Sequence, residues 1–392
     1  MSANSKFFGN RDAKAVLKHG LLARDAKYFA GRAGLAAHGR VAFIDGYAGT
    51  GRYEDGNPGS PLLLATEAES AKSFGRDVKL AFVEQDDKYR ARLERTLGDE
   101  HVVADQLLGG DFDSALDALL ARYDRHAVLL FVDPFGLALS RETLIRVLKR
   151  NSARQPIDVL FHFSLLTVAR QGALAVTRGP NSIHSAAQLD HALGPDIWRR
   201  PFEANQGREG EATEAAIEVA RAFAEDLHSI TSTRSTSVPV RRRPGMLPTY
   251  LLTLLSGDRR AHWDFVDMAG RSYVDWLHHC DQEDFEANLR NDEGQGIQQL
   301  FPEPEPDVGT IDRLLAAQAQ KHFSETLPRL LKQRGTVRPI DHLEEVYGSM
   351  LGQARNRHVQ DGFKSLFAAG EIDGECKGRR WMEQPLTWLG GQ

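Results

Sequence analysis

FIDGYAGTGRYEDGNPGSP, residues 43–61, decides how this chain is read. It leaves an apolar run, meets an acid at Asp45, and then carries Gly46, Gly49 and Gly51 before a polar stretch, Arg52–Gly59. A glycine-rich turn at the end of a strand lets a ligand approach the backbone closely, with amides pointing at it. Ser60-Pro61 then reads as an N-cap followed by proline at the first helical position.

Outward from that turn, periodicity predicts strands alternating with helices. A helix covers 11–37, with Val16, Leu17, Leu21, Leu22 and Phe29 on an apolar stripe, and VAFID (41–45) is a strand. A helix over 60–73 follows, then a strand over 78–86, a helix over 88–97, a short strand HVVAD (101–105) and a helix over 112–122. AVLLFVDPFG (127–136) is an unbroken apolar run ending in a turn, as in a parallel strand buried on both faces. A helix at 140–150 and the strand IDVLFHFS (157–164) complete five β-α units. This alternation predicts a doubly wound, parallel α/β sheet. Residues 165–236 read as a helical insertion over the sheet's carboxyl edge, and 238–256 as two strands around a Pro-Gly turn. A terminal hairpin after five β-α units is the pattern of class I methyltransferases rather than of dehydrogenases, by analogy of fold. FPEPEPDVG (301–309) is a Pro- and acid-rich linker. The expected division is therefore a methyltransferase-like domain over 1–300 and a winged-helix-like module over 310–392.

The chain has 392 residues, 41% of them hydrophobic, enough for two buried cores. No apolar stretch reaches membrane-span length, and MSANSKFFGNRDAK lacks a signal-peptide core, so no membrane partner is expected. Cys280 and Cys376 are the only cysteines, which fits a reducing cytoplasm rather than a disulfide framework. A formal net charge of −5 means that a nucleic-acid partner would need local basic patches.

The dinucleotide fingerprint needs G-x-G-x-x-G opening directly into a helix. Here the spacing is D-G-x-x-G-x-G with a polar delay, which disfavours a diphosphate and with it an NAD-binding oxidoreductase. The second strand ends in Glu84, suited to accept two ribose hydroxyls, and GGDF (109–112) puts Asp111 where an adenine amine would lie. Together Asp45, Gly46, Gly49, Gly51, Glu84 and Asp111 point to S-adenosylmethionine as cofactor.

FIDGYAGTGRYEDGNPGSP, FVDPFG and DHALGPDIW (190–198) resemble the three-Cys-motif partner (TcmP) family, over a stretch from about Lys14 to the hairpin near 256 and more loosely beyond. That family is similar to class I S-adenosylmethionine-dependent methyltransferases. Its name implies a separately encoded partner protein carrying a cysteine motif.

Asp133-Pro134-Phe135 stands at the carboxyl end of the fourth strand, where open parallel sheets react. Amino-methyltransferases carry D/N-P-P-Y/F at this point. A carboxylate and a carbonyl there accept hydrogen bonds from an exocyclic amine, and the aromatic ring stacks on the base. This chain has D-P-F-G, one proline short. The predicted activity is methyl transfer to an amino group of a nucleic-acid base, with Asp133, Pro134 and Phe135 as the catalytic set. The competing reading is a non-catalytic adaptor that keeps the fold and works with the cysteine-motif protein.

Ser164 is expected to line the same crevice, while His162 receives no role. HHC (278–280) lacks a second ligand pair, so no metal is expected, and Arg241–Arg243 reads as a solvated strand end. In the C-terminal module Arg355, Arg357, His358 and Lys364 fall on the expected recognition helix, and Lys377, Arg379 and Arg380 at the wing beside Trp381. That pattern suits nucleic acid, although Asp361, Glu371, Asp373 and Glu375 dilute it and protein docking is the alternative.

Overall fold

A computed structural model describes residues 13–134, 136–177, 179–205, 211–295 and 304–390. Contacts divide them into two units, one of residues 22–241 with 246–258, the other of 259–390 with 13–21 and 242–245.

The chain begins with α1 (Ala13–Ala36), β1 (Arg40–Asp45), α2 (Ser60–Lys72), β2 (Asp77–Val83) and α3 (Asp87–Asp99). It continues with β3 (Gln106–Leu108), α4 (Phe112–Arg122), β4 (Ala127–Val132), α5 (Arg141–Arg150) and β5 (Ile157–Phe163). Four helices follow, α6 (Leu165–Val176), α7 (Ser182–Leu193), α8 (Arg199–Asn205) and α9 (Glu211–Thr231), and then β6 (Arg234–Val240) and β7 (Tyr250–Ser256). The strands form one sheet in the order β3-β2-β1-β4-β5-β7-β6. The first five are parallel, and β7 inserts antiparallel between β5 and β6. This is the doubly wound, methyltransferase-like sheet with a terminal antiparallel hairpin that the alternation predicts.

Every residue of β4 is buried, because helices cover both faces of the sheet. Phe43 of β1 lies in register with Leu80 of β2 and Leu129 of β4, so the central strands contribute matched apolar layers. On one face, Ile44, Val83, Val128, Leu130 and Val159 pack with Leu116 and Leu120 of α4, Leu144 of α5, and Val219 and Phe223 of α9.

Three local expectations shift. The third strand is 106–108 and not 101–105, since His101 turns with φ 55° and Val103 is 88% exposed. The N-cap of α2 is Gly59, with Ser60 already helical, so no side chain caps that helix. The hairpin starts at Arg234, inside the span assigned to the insertion.

The second unit holds α10 (Arg259–Gln295), α11 (Val308–Arg334), β8 (Thr336–Val337), α12 (Leu343–Tyr347), α13 (Asn356–Ala368), β9 (Ile372–Asp373) and β10 (Leu386–Trp388). Its three strands pair antiparallel in the order β8-β10-β9. Trp263 of α10 packs at 5.5 Å from Tyr347 and 5.7 Å from Trp381 between ring centroids. Trp263 and Val266 share one core with Phe323, Leu327, Val359, Phe363 and Leu386. A Cβ at Gly270 would meet the Ala354 carbonyl oxygen at 2.7 Å, so α10 needs glycine there to lie against the segment before α13. The break between units thus falls at 258/259, ahead of α10, whereas the sequence reading puts it in the linker at 301–309. Of that linker, residues 301–303 lie outside the described residues, and 304–307 have no regular structure.

Candidate functional site

The loop after β1 is stitched to both neighbouring strands. Asp45 is fully buried, and its Oδ1 accepts the Tyr47 amide at 3.1 Å. Gly46 N donates to Phe131 O at 3.0 Å, and Ala48 N to Val83 O at 3.0 Å. A Cβ on Gly46 would meet the Phe112 ring at 2.9 Å, so glycine lets that ring close against the strand end. Gly49 and Gly51 have φ of 61° and 78°, in the left-handed region that favours glycine. The Gly49 amide donates to Glu84 Oε2 at 2.8 Å, and Glu84 Oε1 accepts the Asp86 amide at 2.8 Å. Each carboxylate oxygen keeps a further lone pair, so a buried Glu84 can accept ligand hydroxyls while it holds the loop.

The polar stretch 52–58 does not carry α2 away from this loop. It closes on itself, with Tyr53 N on Asn57 O at 2.9 Å and the Arg52 side chain on Gly56 O at 2.7 Å. Gly59 then returns, its amide 2.8 Å from Gly51 O. The helix N-terminus therefore stands beside the glycines, and the spacing argument against a diphosphate loses its force. What disfavours a polyanion is the charge of Asp45, Glu84 and Asp111 at three successive strand ends.

Asp111 caps α4, its Oδ1 accepting from Ser114 N at 2.9 Å and its Oδ2 from Ser114 Oγ at 2.8 Å. These bonds hold its carboxyl below the usual range, so it stays an anionic acceptor, and it is exposed. Sequence reasoning passed over Tyr47. Its ring lies 5.6 Å from Phe112, and burial, followed by the charges of Asp113 and Asp111, pushes its phenol up, so it stays a neutral donor. The available signal was an aromatic residue two positions past the acid that ends β1.

Across the sheet's switch point, Asp133 follows β4 and is half-buried, and Pro134 is buried. Phe135 lies outside the described residues. His162 of β5 sits beside Asp133, with Nδ1 3.5 Å from Oδ1, and its ring is 4.1 Å from that of Tyr250. The last register pair of β4 and β5 is Val132 with Phe161, which makes Asp133 and His162 successive neighbours at the edge. Phe161 and Phe163 pack on Phe223 instead. Ser164 caps α6, its Oγ accepting from Thr167 N at 3.3 Å, so its hydroxyl is committed to the helix end rather than to the crevice.

Other candidates resolve into structural contacts. Asp190 of the DHALGPDIW stretch accepts from Trp198 Nε1 at 2.8 Å and from both Arg199 terminal nitrogens at 2.8 and 2.9 Å, which makes the stretch a local clamp. Arg243 binds Cys280 O at 2.9 Å and Glu283 at 2.9 Å. On α13 and at the residue before it, Arg357 and Arg355 lie 2.6 and 3.8 Å from Asp312 of α11, and Lys364 lies 3.3 Å from Asp361. His358 is buried, and burial with the adjacent arginines lowers its pKa, so it is neutral at pH 7. Lys377 pairs with Glu375 at 3.1 Å, and Arg379 and Arg380 are exposed.

Together the fold and these residues define a class: a doubly wound sheet whose carboxyl edge carries a glycine loop and a row of carboxylates. No family model matches the chain, and the comparison with curated proteins finds no match. Among solved structures, it is similar to the O-methyltransferase TomG from Streptomyces achromogenes in complex with SAM, at 14% identity over 65% of this chain and 94% of that one, TM-score 0.32. It is also similar to the plantazolicin methyltransferase BpumL in complex with SAH, at 11% identity over 62% and 86% of the two chains, TM-score 0.29. A likeness of that size leaves the reaction and the ligand to be argued from the residues themselves. Among the described residues no helix is long and apolar enough to cross a membrane.

Proposed function

We propose that the chain is an S-adenosylmethionine-dependent methyltransferase. The observation that carries this is the bond from Gly49 N to Glu84 Oε2, which joins a glycine loop to a buried strand-end carboxylate between Asp45 and Asp111. Glu84 would accept the ribose hydroxyls through its remaining lone pairs, and Asp111 the adenine amine. Gly46, Gly49 and Gly51 let the ligand approach the backbone, and Asp45 fixes the turn through Tyr47 N. The residues fit a neutral nucleoside with a cationic end better than a diphosphate. When bound, the cofactor supplies an electrophilic methyl group on a sulfonium.

The acceptor we propose is an amino group of a nucleic-acid base, with Asp133 and the carbonyl beside it receiving the amine hydrogens and Pro134 and Phe135 positioning the base. The order α11, β8, α12, α13, β9, β10 supports a winged-helix-like module, whose exposed Arg379 and Arg380 would meet phosphate. Free, buried Cys280 and Cys376 fit work in a reducing cytoplasm. The second reading, an adaptor for a cysteine-motif protein of the kind the TcmP resemblance implies, is favoured by the missing proline of D-P-F-G and by the cations on α13 being paired within the unit.

The test is incubation with methyl-labelled S-adenosylmethionine and total DNA, RNA and protein in parallel. Label in DNA or RNA supports the base-amine reading, label in protein moves the acceptor, and cofactor binding without label in any pool favours the adaptor.

A further inference from the structure

We propose that the start of α6 and the turn between β6 and β7 form the rim on which the nucleic-acid acceptor lies. Arg170 and Arg241 meet its phosphates, and Leu166, Met246 and Leu247 lie against bases that are out of the stack. The occupant is a single strand or a locally opened duplex. This rests on the base-amine reading above and says where the strand runs.

Topology puts this rim next to the proposed acceptor position. Strand β7 runs antiparallel to β5, with Leu251 opposite Phe163, so the turn between Val240 and Tyr250 lies at the carboxyl edge of the parallel strands. Leu166 N donates to Thr249 O at 3.1 Å, which ties the start of α6 to that turn. In the strand order β3-β2-β1-β4-β5-β7-β6, the edge therefore runs from Asp111, Glu84 and Asp45, through Asp133 after β4, to the rim.

Charge changes sign along that edge. Residues 165–189 and 227–257 carry arginines at 170, 178, 234, 241, 242 and 243 and neither Asp nor Glu, in a chain of 392 residues with 54 acids. A polyanion repelled by the strand-end carboxylates meets here the local basic patch that a net charge of −5 makes necessary. Arg243 is bound to Cys280 O and Glu283 and is not counted. Arg170 is exposed and lies one turn along α6 from Leu166, on the same face, and Arg241 is half-buried just past β6. Leu166, Met246 and Leu247 are 58%, 51% and 67% exposed. Apolar side chains beside arginines suit an unstacked strand, whose bases offer apolar faces and whose backbone offers phosphate. A base amine inside a duplex reaches Asp133 only after leaving the stack. Met246 and Leu247 stand on a turn between Pro244 and Pro248, not on the amphipathic helix with which a chain lies on a membrane surface.

The test is fluorescence anisotropy of the full chain with fluorescein-labelled, mixed-sequence single strands of DNA and of RNA and with the DNA duplex, over a salt series. We expect at least one single strand to bind more tightly than the duplex. Arg170→Ala with Arg241→Ala should lower the single-strand salt slope by about 1.4, the share of two phosphate contacts. Arg170→Lys with Arg241→Lys keeps both charges and should keep the slope. Met246→Ser with Leu247→Ser should weaken binding at least about fivefold and leave the slope in place, because the lost contact is apolar. Thermal melts show that each variant folds, and single Gln variants replace the Ala pair if it does not. A slope that the neutral variants leave in place, a Lys pair as defective as the Ala pair, or an affinity unmoved by the Ser pair overturns the proposal. So does wild-type chain that binds no strand, whether or not it sediments with phosphatidylserine vesicles. Calorimetry with S-adenosylhomocysteine separates the two readings. Chain that binds strands through these residues but not this ligand keeps the rim and loses the methyltransferase reading. Chain that binds the ligand and labels a nucleic acid, yet ignores these substitutions, loses the rim alone.

Discussion

Glu84 Oε2 lies 2.8 Å from the Gly49 amide, so the carboxylate that would hold a ribose also holds the loop on which the ligand rests. Glu84→Gln keeps the shape and turns an amide NH2 toward Gly49 N or Asp86 N. Losing one charge-assisted acceptor costs roughly 1–3 kcal/mol. We expect S-adenosylhomocysteine affinity to fall at least about tenfold by calorimetry, with a lower melting temperature. Unchanged affinity would take Glu84 out of the site.

Gly49 and Gly51 separate backbone strain from packing. A Cβ at Gly49 meets nothing within 4 Å, whereas at Gly51 it meets Leu93 Cδ1 at 2.9 Å. Gly49→Ala should cost only the left-handed penalty, about 1–2 kcal/mol. Gly51→Ala should cost more, because Leu93 and Thr96 must also shift. Urea unfolding of the two variants gives the order, and equal losses would mean that α3 does not pack on the loop as described.

Asp133→Asn should leave S-adenosylhomocysteine affinity unchanged and abolish labelling of whichever pool accepts methyl. Asp133 lies across the switch point from Glu84 and Asp111, so it has no part in the proposed nucleoside contacts. Normal labelling by this variant would make D-P-F-G a plain turn.

Lys377, Arg379 and Arg380 to Ala tests the wing. Lys377 is already paired with Glu375, so the expected loss in the salt slope for a random-sequence DNA duplex is about two counterions rather than three. An identical affinity and slope would turn the module into a protein-docking surface.

Asp105 predicts part of the acid limb of stability. Hydrogen bonds from Arg122 and Tyr123, at 2.9 and 2.6 Å, hold its carboxyl below the usual range. A depressed carboxyl stabilises the fold above its unfolded pKa, near 3.9, and the contribution is lost as pH falls through that value and on through the folded one. Asp105→Asn should therefore flatten the dependence of unfolding free energy on pH between about 5 and 3. A limb of unchanged slope would mean that the contact persists in the unfolded chain.

The sequence alone determined what adjacent residues determine. The uninterrupted apolar run of β4, the acids that end β1 and β2, the helix over 112–122 and the hairpin near 250 were all legible, because periodicity and turn chemistry act within one or two turns of chain. Only the tertiary structure decided the rest. It returned Gly59 to Gly51 across a closed excursion and moved the third strand to 106–108, where Ala81 pairs with Gln106. It gave α10 to the C-terminal core through Trp263, and spent the α13 arginines on Asp312. It also set His162, which a strand pattern reads as one more alternating residue, against Asp133 from the neighbouring strand. Each of these depends on groups distant in sequence meeting in space. Their energies are those of burial, charge pairing and register between elements, and no local pattern encodes which partner will be there.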